Sequence, residues 1–325
     1  MKMQGIVLPI FMLCILVYSE FSYAKWFEDN QGIMGTNIHV ELWCDSTQQG
    51  EDAIQAVMDE MQRINQLMSP YIESSELSQL NSRGSDSAVP VSKELFELIA
   101  LSVELAKETN GAFDITFASV GYLYNYREHQ KPDQGQIENL LKAINYQHIK
   151  FDVNDHSIFF AHPNVKIDLG GIAKGHAVDN VIDLLKKRGI KHALVTAGGD
   201  TKLLGDRLGK PWMVGIRDPR NKDKQAVVLP LADTALSTSG DYERYFEQDG
   251  KRFHHILSPK TGTSAYEVQS VSIIGQRSTL NDALSTAVFV LGVQKGMDLL
   301  NRTPGYDGII VDNLRKMHYT NALMK

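Results

Sequence analysis

Cysteine is nearly missing: the 325 residues contain two, Cys14 and Cys44. Cys14 lies in an N-terminal segment that reads as removable, so the mature chain keeps one thiol and no internal disulfide can staple it. Basic runs are missing too, and the net charge is −6, which excludes a general nucleic-acid binder and leaves no nucleic acid among the expected partners. There is no GxxxxGK[ST] and no GxGxxG, which argues against a P-loop or a Rossmann site. Linkers rich in Pro, Gly or Ser are absent, so no internal domain boundary is marked. What is there is a globular composition, 43% hydrophobic and 22% charged, long enough to bury a sizeable core.

The first 24 residues differ from the rest: Lys2 is a minimal positive start, residues 6–18 are apolar but too short for a comfortable membrane span, and Ser22-Tyr23-Ala24 fits a small-x-small cleavage site. The expected division is therefore a signal peptide over 1–24 and one functional domain over 25–325, exported to the periplasmic side. Leu13 precedes Cys14 where a lipobox needs a small residue, so lipidation is not expected. Cys44 falls in an alternating strand pattern and reads as a core thiol, not a nucleophile.

Hydrophobic period places a strand over 34–44, a long helix over 49–68, a second helix over 91–109 opened by Ser92 and closed by Asn110-Gly111, and a brief strand over 113–116. Residues 121–136 are aromatic and polar without a period, which predicts an ordered surface excursion. A helix at 137–144 and strands at 149–153 and 157–161 follow. Further strands are expected near 193–200, 212–216, 226–229, 268–274 and 308–311, with an apolar helix over 283–291. Residues 236–246 read as a polar glycine turn entering an aromatic segment. Adjacent strand runs separated by helix pairs argue for α+β rather than a doubly wound parallel sheet.

The chain is organised around residues 165–179. Val165, Ile167 and Leu169 alternate as a short strand, Gly170-Gly171 form a turn, and a helix is expected from Ala177. Strand, glycine turn and helix make a phosphate-binding layout, with Lys174 as a mobile cation and Asp168 at the strand end. Alone, this segment is an ordinary strand-to-helix turn. Asp282 and Thr286 are four apart at a helix start, where both oxygens share a face and can bind a hard cation; alone, this pair reads as helix capping. His254 and His255 are neighbours on a strand, so only one faces a site, where it can act as a base. Gly198-Gly199-Asp200 and the 237–241 stretch are turns that can also offer N–H groups to an anion. Tyr71, in a polar loop after a helix, is placed to stack on a flat ring.

In order along the chain, Met34-Gly35-Thr36, Tyr71 with 75–81, Gly111-Ala112-Phe113-Asp114-Ile115-Thr116, 168–175, 198–200, 237–241, His255-Ile256-Leu257-x-Pro259-x-Thr261-Gly262 and 282–287 resemble the ApbE family of FAD:protein FMN transferases. The resemblance covers nearly all of the mature chain. It implies an α+β, T-fold-like architecture of antiparallel sheets with packed helix pairs. It also implies Mg2+-dependent transfer of FMN from FAD to a Thr or Ser hydroxyl of a target protein, releasing AMP. The partners implied are FAD, as substrate, and an acceptor such as a membrane-bound redox subunit. Carried over by motif, Met34, Tyr71, Ala112, Phe113, Asp114, Asp168, Lys174 and Ile256 line the FAD site. Asp282, Ser285, Thr286 and the Gly171 carbonyl hold Mg2+, and His255 is the base. Ser258 stands where the family has Asp. Two alternatives share the scaffold: an FAD pyrophosphatase, with water replacing the protein hydroxyl, and a flavin-binding protein without turnover.

Overall fold

The computed structural model describes residues 24–324, so all of the expected signal peptide except Ala24 lies outside the described residues. An eight-stranded sheet runs through the chain. Its strands are β1 (Lys25–Ile33), β2 (Thr36–Cys44), β3 (Ala193–Ala197), β4 (Asp200–Leu204), β5 (Ala235–Gly240), β6 (Val268–Gly275), β7 (Tyr306–Asp312) and β8 (Met317–Tyr319). They lie side by side in chain order, each antiparallel to the next. The fold is α+β, as the sequence pattern implies.

Period-two alternation gives the sheet two apolar faces. Ile38, Val40 and Leu42 of β2, Val195 of β3 and Val271 and Ile273 of β6 are fully buried in one large core. That core is shared with the helices α1 (Thr47–Met68), α2 (Glu76–Arg83), α3 (Lys93–Glu108), α4 (Ala173–Lys187) and α5 (Ser278–Asn301). Leu203, Leu236 and Ile309 point the other way, onto Trp212, Val214 and Ile216 of a two-stranded ribbon (Trp212–Asp218 and Asn221–Leu231). Cys44 is buried, and burial with the nearby Asp45 pushes its thiol up, so it is an inert core group.

Several expectations change. Residues 113–116 form a 3-10 turn (Ile115–Phe117) instead of a strand, because the Asp114 carboxylate accepts from the Thr116 N–H at 2.9 Å and closes the chain locally. Residues 165–169 are extended but belong to no sheet. Asn81 stands in for the missing strand, its amide pairing with both the N–H and the C=O of Ile167 at 2.8 Å. Helix α4 begins at Ala173, four residues before the expected start at Ala177, so Lys174 and Gly175 sit in its first turn. Finally, 235–240 is a central strand, and β1, too polar to read as a strand, is the sheet edge that pairs with β2 through a Met34-Gly35 turn.

The excursion at 121–136 is ordered by its tyrosines. The Tyr122, Tyr124 and Tyr126 hydroxyls donate to the carbonyls of Ile167 (2.9 Å), Gly262 (3.0 Å) and His254 (3.3 Å). Tyr124 and Tyr126 also stack at 5.7 Å. These bonds pin the excursion to Ile167, to the turn at Gly262 and to His254, the last residue of the strand Lys251–His254; His255 follows in a bend rather than on the strand the sequence pattern suggested.

Candidate active site

Helices α4 and α5 pack closely enough that a Cβ on Gly175 would stand 2.3 Å from the Ser278 carbonyl oxygen and 2.9 Å from the Asp282 Cβ. Only glycine permits that approach. It lets the Gly175 N–H, one of the first-turn donors of α4, reach Asp282 Oδ2 at 3.1 Å. Lys174 Nζ lies 3.3 Å from Asp282 Oδ2, 2.9 Å from Asp200 Oδ2 and 3.0 Å from the Gly170 carbonyl. Asp282 and Asp200 are both almost fully buried. Burial would push Lys174 down, but the two carboxylates outweigh it and hold the ammonium above its ordinary range. Burial and the negative Asp200 push the Asp282 carboxyl up to about 7.

One turn further along α5, the Ser285 hydroxyl donates to the Asp282 carbonyl at 2.8 Å, and Ser239 of β5 contacts the hydroxyls of Ser285 (2.8 Å) and Thr286 (3.3 Å). A Cβ on Gly171 would meet Thr286 Oγ1 at 3.1 Å and Phe113 Cε2 at 3.4 Å, so the glycine backbone lies flat against Thr286. Asp282, Ser285, Thr286 and Gly171 are thus brought together. Their donor set is all oxygen with one carboxylate, which suits Mg2+: that ion keeps several waters and takes one or two carboxylates plus substrate phosphates. Among the described residues no group of three or more His, Cys, Asp or Glu could hold a metal. A softer ion or an all-carboxylate cage therefore has no counterpart there.

The Asp282 shift has a sign that can be tested. A cation needs the ionised carboxylate, so proton competition weakens binding as pH falls below about 7. The expected result is a loss of roughly tenfold in Mg2+ affinity per pH unit from pH 7 to 5, read as the shift of the thermal midpoint with Mg2+ at each pH. The metal-free fold should trend the other way. Its Asp282 binds the proton more tightly than in the unfolded chain, so this contribution to stability is lost as pH rises from about 4 to about 7.

The two histidines separate cleanly. His254 is buried; its Nε2 bonds the Ala265 carbonyl at 2.6 Å, its Nδ1 accepts from the Ile256 N–H at 3.3 Å, and its ring meets Phe289 edge-on. It is a satisfied core side chain. His255 is half-buried, and its Nδ1 is shielded from water with no hydrogen-bond partner. Burial, with His254, Arg244 and Lys174 nearby, lowers its pKa to about 3, so the imidazole is neutral at physiological pH.

Met34 and Gly35 both have positive φ, a two-residue hairpin turn that Gly35 suits, and the Arg244 guanidinium would lie 3.2 Å from a Cβ there. The Arg244 carbonyl accepts the His255 N–H at 3.1 Å, which links this turn to His255. Asp168 is half-buried; it accepts the Gly170 N–H at 2.7 Å and the Tyr122 hydroxyl at 3.4 Å, and burial raises its pKa. Tyr71 is 80% exposed, near Tyr122 and Tyr126.

Other sequence candidates sit deeper. Ala112, Phe113, Asp114 and Ile256 are all buried. The Asp114 carboxylate is taken up by Thr116 and by the Tyr146 N–H (2.9 Å), so it holds the loop together. Of the N–H groups in the 198–200 and 237–241 stretches, that of Gly198 bonds the Asn37 carbonyl and that of Asp241 bonds the Gln269 carbonyl. Ser258 closes its turn through its backbone carbonyl, which accepts from Thr261 and Gly262, so the turn stands without a carboxylate side chain. The sequence singled out the stretches holding Asp200 and Ser239 for their backbone N–H groups and not for these side chains, and it did not point to Arg244. Their signal was slight: an Asp after two glycines, a Ser inside a polar run, and an Arg among aromatics.

The model of the ApbE family matches residues 34–310. This chain belongs to the ApbE family. An FAD:protein FMN transferase of Treponema pallidum is 34% identical over 277 residues, covering 80% of this chain and 76% of that protein. One of Klebsiella pneumoniae is 32% identical over 288 residues, covering 87% and 88%. Among solved structures, the ApbE protein of Thermotoga maritima superposes with a TM-score of 0.85 at 33% identity, over 92% of this chain and 98% of its own. The flavin transferase ApbE of Vibrio cholerae gives 0.83 at 25% identity, over 93% and 99%. The likeness to ApbE structures thus extends over about nine-tenths of this chain.

Proposed function

We propose that this chain transfers FMN from FAD to a Thr or Ser hydroxyl of an acceptor protein, releasing AMP. What carries the reading is the convergence of an oxygen-donor cluster (Asp282, Ser285, Thr286, the Gly171 carbonyl) with Lys174 and a neutral, unpartnered His255, in a chain of the ApbE family. Mg2+ bound by those oxygens would neutralise charge on the diphosphate as its bond breaks. Lys174 adds a fixed positive charge at the same place, and Asp200 holds it there. His255 accepts the proton of the acceptor hydroxyl as that oxygen attacks the FMN-side phosphorus; the bond to the AMP oxygen breaks and AMP leaves. The negative diphosphate raises the histidine's proton affinity on binding, so substrate turns a poor base into a useful one.

Tyr71 provides a flat, exposed face for the isoalloxazine ring. Tyr71→Ala is expected to weaken FAD binding about tenfold and leave the thermal midpoint unchanged, since an 80% exposed ring adds little to the core. Fluorescence titration of FAD beside a thermal melt checks both. The domain is taken to begin at Lys25 after signal-peptide removal, acting in the periplasm, with a membrane-bound redox subunit as acceptor.

The test is to incubate residues 25–325 with FAD, Mg2+ and a redox-subunit domain carrying an exposed threonine. In-gel flavin fluorescence is followed beside AMP and free FMN. Fluorescent acceptor with AMP supports the transferase. AMP with free FMN and no labelling supports the pyrophosphatase, and intact bound FAD supports a binder.

A further inference from the structure

Five residues beyond Lys174, the same helix carries Asp179, which the chemistry above does not use. Lys174 of α4 reaches Asp200 of β4 and Asp282 of α5. Asp179 of α4 reaches the same two elements with the charges reversed. Its Oδ1 lies 2.5 Å from Lys202 Nζ, on the strand that begins with Asp200. Its carboxylate also accepts the Ser278 N–H at 3.1 Å, the Thr279 N–H at 2.9 Å and the Thr279 hydroxyl at 2.6 Å. Helix α5 makes no side-chain cap of its own, with Arg277 at the cap position. Asp179 therefore supplies from a neighbouring helix the acceptor that Ser or Asp normally supplies locally.

The spacing turns this cap into a gauge. Gly175 and Asp179 are four apart on α4 and face α5 together; Ser278 and Asp282 are four apart on α5 and face α4. One end of this contact is the Gly175 N–H on Asp282 Oδ2, and the other is the Ser278 and Thr279 N–H groups on Asp179. Between them Gly175 allows the helices to touch. Two bonded points a turn apart fix both the slide and the rotation of α5 against α4, and the Lys202 pair ties β4 into the same frame. Ser278, Thr279 and Asp282 are all buried, so water offers the helix end no easy substitute for the carboxylate.

We propose that Asp179 is a positioning residue for the cation site, holding the N-terminus of α5 in register with α4 and β4 so that Asp282, Ser285 and Thr286 present their oxygens together. The inference rests on the reading of those oxygens as the metal site but not on flavin transfer, and its test uses neither FAD turnover nor an acceptor. Mn2+ is titrated into the full described chain in the absence of FAD, with free Mn2+ read by electron paramagnetic resonance. FAD affinity is measured separately in EDTA by flavin fluorescence.

Asp179→Ala is expected to raise the Mn2+ dissociation constant at least about tenfold, the usual cost of losing a group that orients metal ligands, with FAD affinity in EDTA within twofold of the wild type. Asp179→Asn keeps the shape and one acceptor but loses the Lys202 charge pair. It is expected to fall between the two, and it provides the test if the alanine variant does not fold. An unchanged Mn2+ constant in a variant whose melting point falls would overturn the proposal, leaving Asp179 as a stabilising cap only. So would a parallel loss of Mn2+ and FAD affinity, which would mean that the whole site collapses.

Discussion

Asp282→Ala is expected to lower Mg2+-dependent AMP release by about a thousandfold or more, the scale of losing a group that neutralises transition-state charge. Asp282 is the one carboxylate in the oxygen cluster; Ser285, Thr286 and the Gly171 carbonyl are neutral donors and do not replace its charge. The variant should still fold. Removing a buried carboxylate whose neighbour Asp200 opposes its ionisation relieves repulsion, and Lys174 keeps Asp200 as its partner at 2.9 Å. FAD binding should survive, because the Met34-Gly35 turn and Tyr71 lie on other elements. The check is a rate measurement across Mg2+ concentrations with a parallel FAD titration. Wild-type rates at saturating Mg2+ would remove Asp282 from the chemistry.

His255→Ala is expected to leave FAD bound and unreacted, with transfer reduced by about 10²–10⁴, the usual range for a general base. Its effect on stability should be small: Nδ1 has no hydrogen bond to lose, and the backbone N–H that bonds Arg244 remains. The neighbouring His254 is the contrast, since its two ring nitrogens hold Ala265 and Ile256 and its loss acts on the fold. Single-turnover measurement with prebound FAD separates the two steps. A variant that binds and transfers normally would show that the acceptor proton goes elsewhere.

The parts of this molecule that sequence makes legible are those whose partners are generic. The alternation of Ile38, Val40 and Leu42 and the helical spacing of Val57, Met61, Ile64 and Met68 ask only for some apolar surface, and they found it. Where a named partner decides, the pattern fails. Residues 165–169 have the period of a strand but bond to the Asn81 side chain, more than eighty positions away. Gly175 reads as a helix breaker, yet it lies in the first turn of α4 because α5 comes too close for any Cβ. Asp114 is named by the motif alone, and only the fold shows its carboxylate bridging Thr116 of its own turn to the distant Tyr146 N–H.

The site divides the same way. The ordered motifs named Asp282, Thr286, Lys174 and His255; Lys174 pairs with Asp282, Thr286 lies a turn along the same helix, and the charge of Lys174 is felt at His255. The motif picked His255 over His254, and the bonds of His254 supply the physical reason; what the motifs did not reveal is that Asp200 faces Lys174 from the far side of a hairpin turn. Asp179 was visible only as the last residue of a motif. Its use appears when α4, α5 and β4 are assembled.

The most direct test is the mass of the acceptor. A redox-subunit domain with a single exposed threonine is incubated with residues 25–325, FAD and Mg2+, and its intact mass and the modified peptide are measured. The same domain with that threonine replaced by valine, and a reaction with EDTA, run alongside. Flavin transfer predicts a gain of one phosphoester-linked FMN on the threonine, matched by AMP, and no gain in either control. An unmodified acceptor beside free FMN and AMP would contradict it.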